Sequence, residues 1–192
     1  ASDVVPLLDR LGLGRVVLGG HSGSCLVARR VALDHPDRMA GLFLEACPTT
    51  LRGDGKLARF VDEVVADLED PIDPEIARSL VVDTSTDGLE PELVDRLAAD
   101  VARVPARVWK EVFGSLLVYD DTTELDGLPV PTTLIWGDRD QLVPRAMQDR
   151  LLQHLPRAEL TVYEGAGHTP RWERPERFAT ELASFARRVL DG

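Results

Sequence analysis

The stretch Arg15-Val16-Val17-Leu18-Gly19-Gly20-His21-Ser22-Gly23-Ser24-Cys25 passes from an apolar run into a cluster of small residues and then into Cys25-Leu26-Val27-Ala28. An apolar run without alternation is the signature of a strand buried on both faces. The segment from Cys25 to Ala32 reads as a buried helix that ends before Pro36. Met39 to Leu44 is a second apolar run, stopped by Pro48. Strand, helix and strand with short links make a βαβ unit, hence parallel pairing with a right-handed crossover. Upstream, Ser2 is placed to cap a short helix over Val4, Val5, Leu7, Leu8 and Leu11, with Pro6 near its first turn and Gly12 at its end.

The pattern changes after Pro48. Leu57, Phe60, Val61, Val64, Val65 and Leu68 follow helical spacing. Pro74, Pro91 and Pro105 each open a further helical run, the last carrying Val108, Trp109, Val112, Phe113, Leu116 and Leu117. Four successive helices without a strand read as an inserted helical subdomain, and Asp120 to Gly127 as a polar connector. The alternation then resumes: a strand over 131–136, a helix from about Pro144 to Leu155, a strand over Leu160–Tyr163, and an amphipathic helix with Phe178, Leu182, Phe185 and Val189 inward.

The chain has 192 residues, 44% hydrophobic and 29% charged, the composition of a folded domain rather than a disordered segment. A net charge of -11 disfavours nucleic acid and anionic membrane surfaces as partners. No apolar run approaches the roughly 20 residues that span a bilayer. The acidic start Ala1-Ser2-Asp3 lacks the basic opening of a secretory signal, and Cys25 and Cys47 read as small buried side chains of a reduced protein, so a cytoplasmic location is expected. The two cysteines form no metal-ligand spacing, and no metal is expected.

Side chains at the carboxyl ends of parallel strands converge on one edge, where ligands bind. The first strand here ends at Ser22, the third runs into Gly137-Asp138-Arg139-Asp140, and the last is followed by Gly165-Ala166-Gly167-His168. A hydroxyl, a carboxylate and an imidazole thus arise on one edge. A serine hydroxyl needs a base to take its proton, imidazole with its ordinary pKa of ~6.5 is suited to that, and a carboxylate fixes the imidazole tautomer. Gly20 and Ser24 are small enough to let a tight strand-to-helix turn project Ser22, and the N–H of Gly23 is placed to meet an oxyanion. Asp138 competes with Asp140 as the acid, and Glu45, at the end of the second strand, is a further candidate.

Gly20-His21-Ser22-Gly23-Ser24, Leu134-Ile135-Trp136-Gly137-Asp138-Arg139-Asp140 with Val143-Pro144, and Gly165-Ala166-Gly167-His168 with Glu173, Pro175 and Phe178 resemble the α/β-hydrolase superfamily, in its subset with a helical cap. The resemblance runs from Ala1 to Gly192. It implies an α/β-hydrolase parallel-sheet core, its C-terminal half, with an inserted four-helix cap: core over 1–48, cap over 49–126 and core again over 127–192. It implies Ser22 as nucleophile, Asp140 as acid, His168 as base and Gly23 as one oxyanion donor. His21, Trp109 and Phe113 are candidates to line the substrate pocket, with local packing or hydrogen bonding as the other reading of His21 and helix core as that of Trp109 and Phe113. Where the elbow of the family ends in glycine, this chain has Ser24. The helix at Ala1 corresponds to the one before the family's fifth strand; the first four strands, and the histidine-glycine turn that supplies a second oxyanion donor, have no counterpart here, so the chain resembles a C-terminal fragment.

The implied function is a serine hydrolase that cleaves a carboxylic ester or related acyl bond through an acyl-enzyme, with a small-molecule acyl substrate and no cofactor. Dehalogenases of this fold carry aspartate where Ser22 stands. The contrasting expectation is a non-catalytic ligand-binding protein or an inactive truncated remnant, in which Ser22 would not react with a fluorophosphonate. The strand Arg15–Gly19 is expected to form an open apolar edge, which favours self-association and weak activity of the chain by itself.

Overall fold

A computed structural model of the chain describes residues 1–85 and 88–191. Thr86 and Asp87, within the expected cap, and Gly192, at the end of the second core segment, lie outside the described residues. In chain order the elements are α1 (Val4–Arg10), β1 (Val16–His21), α2 (Ser24–Asp34), β2 (Met39–Glu45), α3 (Gly55–Phe60), α4 (Pro74–Val82), α5 (Pro91–Arg103), α6 (Ala106–Leu116), β3 (Thr132–Gly137), α7 (Arg145–His154), β4 (Ala158–Tyr163), α8 (Pro170–Glu173) and α9 (Pro175–Leu190). They form two compact units, Ala1–Thr49 with Asp121–Gly192, and Thr50–Asp120.

The first unit is built on a parallel sheet in the order β1-β2-β3-β4. Alternate residues of the inner strands feed two cores. Leu42, Leu44 and Leu134 pack with Ala28, Val31, Leu151 and Leu155 from α2 and α7. Phe43 and Ile135 face the other way, onto Tyr163 and onto Phe185 of α9. Every residue of β2 and β3 is buried, Thr132, Thr133 and Glu45 included, and the remainder of each strand is apolar or glycine. Val16, Val17 and Leu18 are only half-buried, because β1 is an edge that pairs with β2 alone among the described residues. The first helix also departs from expectation. Asp3 precedes it without a side-chain cap, Ser2 plays no part, and only Leu8 of its apolar residues is buried.

The expected cap boundaries at 49 and 126 shift inward, to 50 and 120. The cause is Arg29, wholly buried in α2. Its Nη1 donates to the Pro48 carbonyl at 2.8 Å and its Nη2 to the Thr49 carbonyl at 3.0 Å. Its Nε donates to Asp121 Oδ2 at 3.2 Å, and Nη2 also pairs with Asp121 Oδ1. Leu125, in the 3₁₀ turn Thr122–Gly127, is fully buried in the α2/α7 core. Residues 121–126 therefore belong to the sheet unit and not to the insertion.

The second unit holds the four expected helices. Asp54 caps α3 by accepting from the N–H groups of Lys56 and Leu57, and Asp73 caps α4 in the same way. Asp70 accepts from the Ala106 N–H at 2.7 Å and so holds the start of α6. The first helix is not uniform: Val61–Val65 forms a wider turn, closed by Ala66 N–H on the Val61 carbonyl at 2.8 Å. Val65, Leu68, Ile72, Ala77 and Ala106 form the buried core of the unit.

Asp121→Asn should reveal the importance of the Arg29 pair. Breaking a buried pair by neutralising one partner strands the other charge, and costs about 3–5 kcal/mol. Urea unfolding of the variant should show that loss; a change below about 1 kcal/mol, the range of exposed pairs, would mean that the pair is dispensable.

Candidate active site

The turn after β1 is built for Ser22 to protrude. Ser22 has φ of +52°, in the left-handed region that non-glycine residues seldom occupy. Its N–H donates to the Glu45 carbonyl of β2 at 2.9 Å, and its carbonyl accepts from the Cys25 N–H at 2.9 Å. Gly20 lets α2 come this close: a Cβ there would lie 2.8 Å from Cys25 Cα. Ser24 has a specific task beyond being small. Its Oγ accepts from the His21 N–H and donates to the His21 carbonyl, both at 2.8 Å, and closes the turn from the far side. Gly23 precedes α2 directly, so its N–H is among those that helix geometry leaves without an intrahelical acceptor.

Asp140 and His168 meet on the same edge of the sheet. His168 Nδ1 lies 2.8 Å from Asp140 Oδ2, with both side chains buried. The other oxygen, Oδ1, accepts from the N–H groups of Leu142 and Val143 at 2.8 and 2.9 Å. The carboxylate is thus fixed by backbone donors on one side and presents one oxygen to the imidazole. Because that oxygen accepts, Nδ1 carries the hydrogen, and in the neutral ring the lone pair is then on Nε2. Val143 is itself anchored, its carbonyl accepting from Trp136 Nε1 at 2.8 Å. Gly137 allows the two loops to touch: a Cβ there would lie 2.1 Å from the Gly167 carbonyl oxygen and 2.3 Å from that of Ala166.

The competing carboxylates are engaged elsewhere. Asp138 Oδ1 accepts from the Gly165 N–H at 2.7 Å, which pins the turn ahead of His168. Glu45 accepts from Arg171, from its N–H at 2.7 Å and from Nη1 at 2.6 Å. Burial pushes the Glu45 carboxyl above the ordinary range, against the pull of Arg171. Glu173, for which residue type and spacing gave no role, accepts from the Gly167 N–H at 3.0 and 2.9 Å and from the Thr169 N–H at 3.3 Å. The backbone on both sides of His168 therefore hangs on one buried carboxylate. Its sequence signal is its place in the motif that carries the family resemblance, Gly165-Ala166-Gly167-His168 with Glu173, Pro175 and Phe178. His154 pairs with Asp126 on the surface, away from these loops in sequence and role.

The model of the alpha/beta hydrolase family matches residues 1–181. The chain belongs to the alpha/beta hydrolase family. Among its relatives in this family is a 2-hydroxy-6-oxononadienedioate/2-hydroxy-6-oxononatrienedioate hydrolase of Burkholderia vietnamiensis, 27% identical over 95% of this chain and 66% of that protein. A pimeloyl-[acyl-carrier protein] methyl ester esterase of Photorhabdus laumondii is 29% identical over 90% of this chain and 69% of its own length. Among solved structures, an esterase from Thermogutta terrifontis superposes with a TM-score of 0.80 at 26% identity, over 97% of this chain and 70% of that one. The chain thus spans about two thirds of the length of these family members.

Ser22, Gly23, Asp140 and His168 all lie at the carboxyl ends of the family sheet. Among the described residues the structure records no hydrogen bond for Ser22 Oγ. Trp109 and Phe113 pack inside the helical unit. Their rings stack at 5.6 Å and 9°, and Phe113 also meets Phe60 at 5.4 Å. Among the described residues, no group of three or more His, Cys, Asp and Glu side chains is placed to hold a metal ion, and no helix is long and apolar enough to cross a membrane.

Two substitutions test this architecture. Gly137→Ala should displace the loop that carries His168, since its Cβ would meet backbone atoms that cannot rotate away. The low-field proton resonance of His168 Nδ1–H should disappear, with a stability loss of at least ~1–3 kcal/mol; an unchanged resonance would show that the loop has room. Phe113→Ala should cost about 3 kcal/mol, the low end for a large aromatic because the ring is half-buried. Urea unfolding measures it, and a loss under about 1 kcal/mol would remove Phe113 from the core.

Proposed function

We propose that this chain is the catalytic part of a serine hydrolase that cleaves a carboxylic ester or a related acyl bond. The observation that carries the reading is the Asp140–His168 hydrogen bond of 2.8 Å on the sheet edge where Ser22 sits at a left-handed turn. The esterases among its relatives support the choice of bond.

In this reading Ser22 Oγ attacks the acyl carbonyl carbon and His168 Nε2 takes its proton. Asp140 holds the ring in the Nδ1–H tautomer and stabilises the imidazolium that forms. The oxyanion meets the Gly23 N–H. Collapse of the tetrahedral intermediate expels the alcohol, which receives the proton from His168, and leaves Ser22 acylated. Water, deprotonated by the same Nε2, then releases the acid and restores the serine. The substrate is a small acyl compound.

Ser22→Ala should lower kcat on an activated ester such as p-nitrophenyl acetate by about 10⁴-fold or more, with the circular dichroism spectrum unchanged. A fluorophosphonate probe should label the native protein at Ser22 and leave the variant unlabelled. Labelling at another residue, or a variant that keeps a tenth of the activity, would remove Ser22 from the reaction.

A further inference from the structure

The imidazole of His21 occupies a position that neither the turn nor the triad requires. His21 is the last residue of β1, and Ser22 follows it directly. The bonds to Ser24 use only the backbone of His21, so its ring is free to act elsewhere. His21 Nε2 lies 2.9 Å from the carbonyl oxygen of His168. A carbonyl only accepts, so Nε2 must carry the hydrogen, and the ring is held as the Nε2–H form. The two imidazoles also meet edge to face, with centroids 4.8 Å apart.

We propose that His21 is a positioning residue for the base: its Nε2–H bond to the His168 carbonyl ties the strand that presents Ser22 to the loop that presents His168. The inference rests on the hydrolase reading for its effect on rate, but not for its effect on the loop. This hydrogen bond runs directly between the two segments. Asp138 and Glu173 hold the same loop to β3 and to α8, and the Glu45–Arg171 pair holds α8 to β2. None of these bonds β1 itself; they reach it only through its ladder with β2. His21 bonds the loop directly, from the residue adjacent to Ser22.

The strut does not change with pH. Burial, the Arg171 guanidinium and the neighbouring His168 hold the His21 pKa down at about 2. Arg171 is paired in turn with Glu45, so the positive charge beside His21 stays in place. His21 therefore remains a neutral donor throughout any assay range, whereas the base must gain and lose a proton in each cycle.

The test compares His21→Phe, which keeps a ring and loses the donor, with His21→Gln, whose side-chain amide nitrogen reaches about as far as Nε2. In His21→Phe the low-field Nδ1–H resonance of His168 should broaden or vanish. kcat on p-nitrophenyl acetate should fall by roughly 10²-fold, the scale of an ångström of misplacement, with KM little changed. His21→Gln should restore both readouts. Urea unfolding of each variant separates misplacement from loss of fold: if His21→Phe fails to fold, His21→Gln against His21→Leu supplies the same comparison. A donor-free variant that folds and keeps the resonance and kcat would overturn the proposal, as would a glutamine variant as impaired as the donor-free one. If the resonance follows the donor while the native protein neither hydrolyses the ester nor reacts with fluorophosphonate, the strut stands and the hydrolase reading falls.

Discussion

The buried guanidinium of Arg29 holds the sheet unit together across the point where the chain leaves it. Residues 50–120 form a unit of their own, so β2 and β3, neighbours in the sheet, are separated by a long excursion. Arg29 grips both sides of the gap, through the carbonyls of Pro48 and Thr49 at the exit and the carboxylate of Asp121 at the return. Two carbonyls and one carboxylate, with the Cys47 sulfur beside them, satisfy a side chain with no access to water. Thr49 adds a second tie, its hydroxyl donating to the Met147 carbonyl at 2.6 Å. A hydrophobic residue in place of Arg29 would leave those carbonyls unpaired, so the usual argument that a buried ion pair is replaceable by apolar packing does not carry over.

With the strands held in register, the fate of each carboxylate near the edge is decided by local donors. Glu45, Asp138, Asp140 and Glu173 are acids whose partners lie in or beside the loops. Arg171 occupies Glu45, the Gly165 N–H occupies Asp138, and the N–H groups of Gly167 and Thr169 occupy Glu173. Asp140 is also held by backbone donors, but through one oxygen only, and the other is left facing His168. Which carboxylate meets His168 is therefore a matter of the donors around each, not of its distance along the chain from the histidine.

This explains what was legible beforehand. β2 could be read because burial on both faces leaves an apolar run from Met39 to Leu44, β3 from its β-branched and apolar residues between Pro131 and Gly137, and the helices of the insertion from their spacing and their prolines. The strand-end groups could be read because a parallel sheet sends all its carboxyl ends to one edge. What escaped were partnerships between residues far apart in sequence. Nothing local to Glu45 announces Arg171, 126 residues away, and nothing local to His21 announces the carbonyl of His168. The boundary of the insertion was misplaced for the same reason, since the polar connector 120–127 looks like solvent-exposed loop until Asp121 finds Arg29. The wider turn at Val61–Val65 was hidden because its apolar residues still fit helical spacing.

The strain at the edge follows from the same register. Ser22 and Ala46 both adopt left-handed φ, +52° and +47°, at the ends of adjacent strands. Each such residue costs of order 1 kcal/mol or more and persists only where its surroundings over-determine it. Here the surroundings are the next strand in the sheet. The N–H of Ser22 donates to the Glu45 carbonyl, and the N–H of Ala46 donates to the Ile135 carbonyl at 2.8 Å. The ladder thus continues one residue past the last regular pair on both strands, and the chain turns only after that bond is made. Ser22 is held from β2, β2 is held from β3, and β3 runs into the loop that holds Asp140. A distortion of the Asp140 loop would therefore be felt at Ser22 through two backbone hydrogen bonds, without any side chain passing between them.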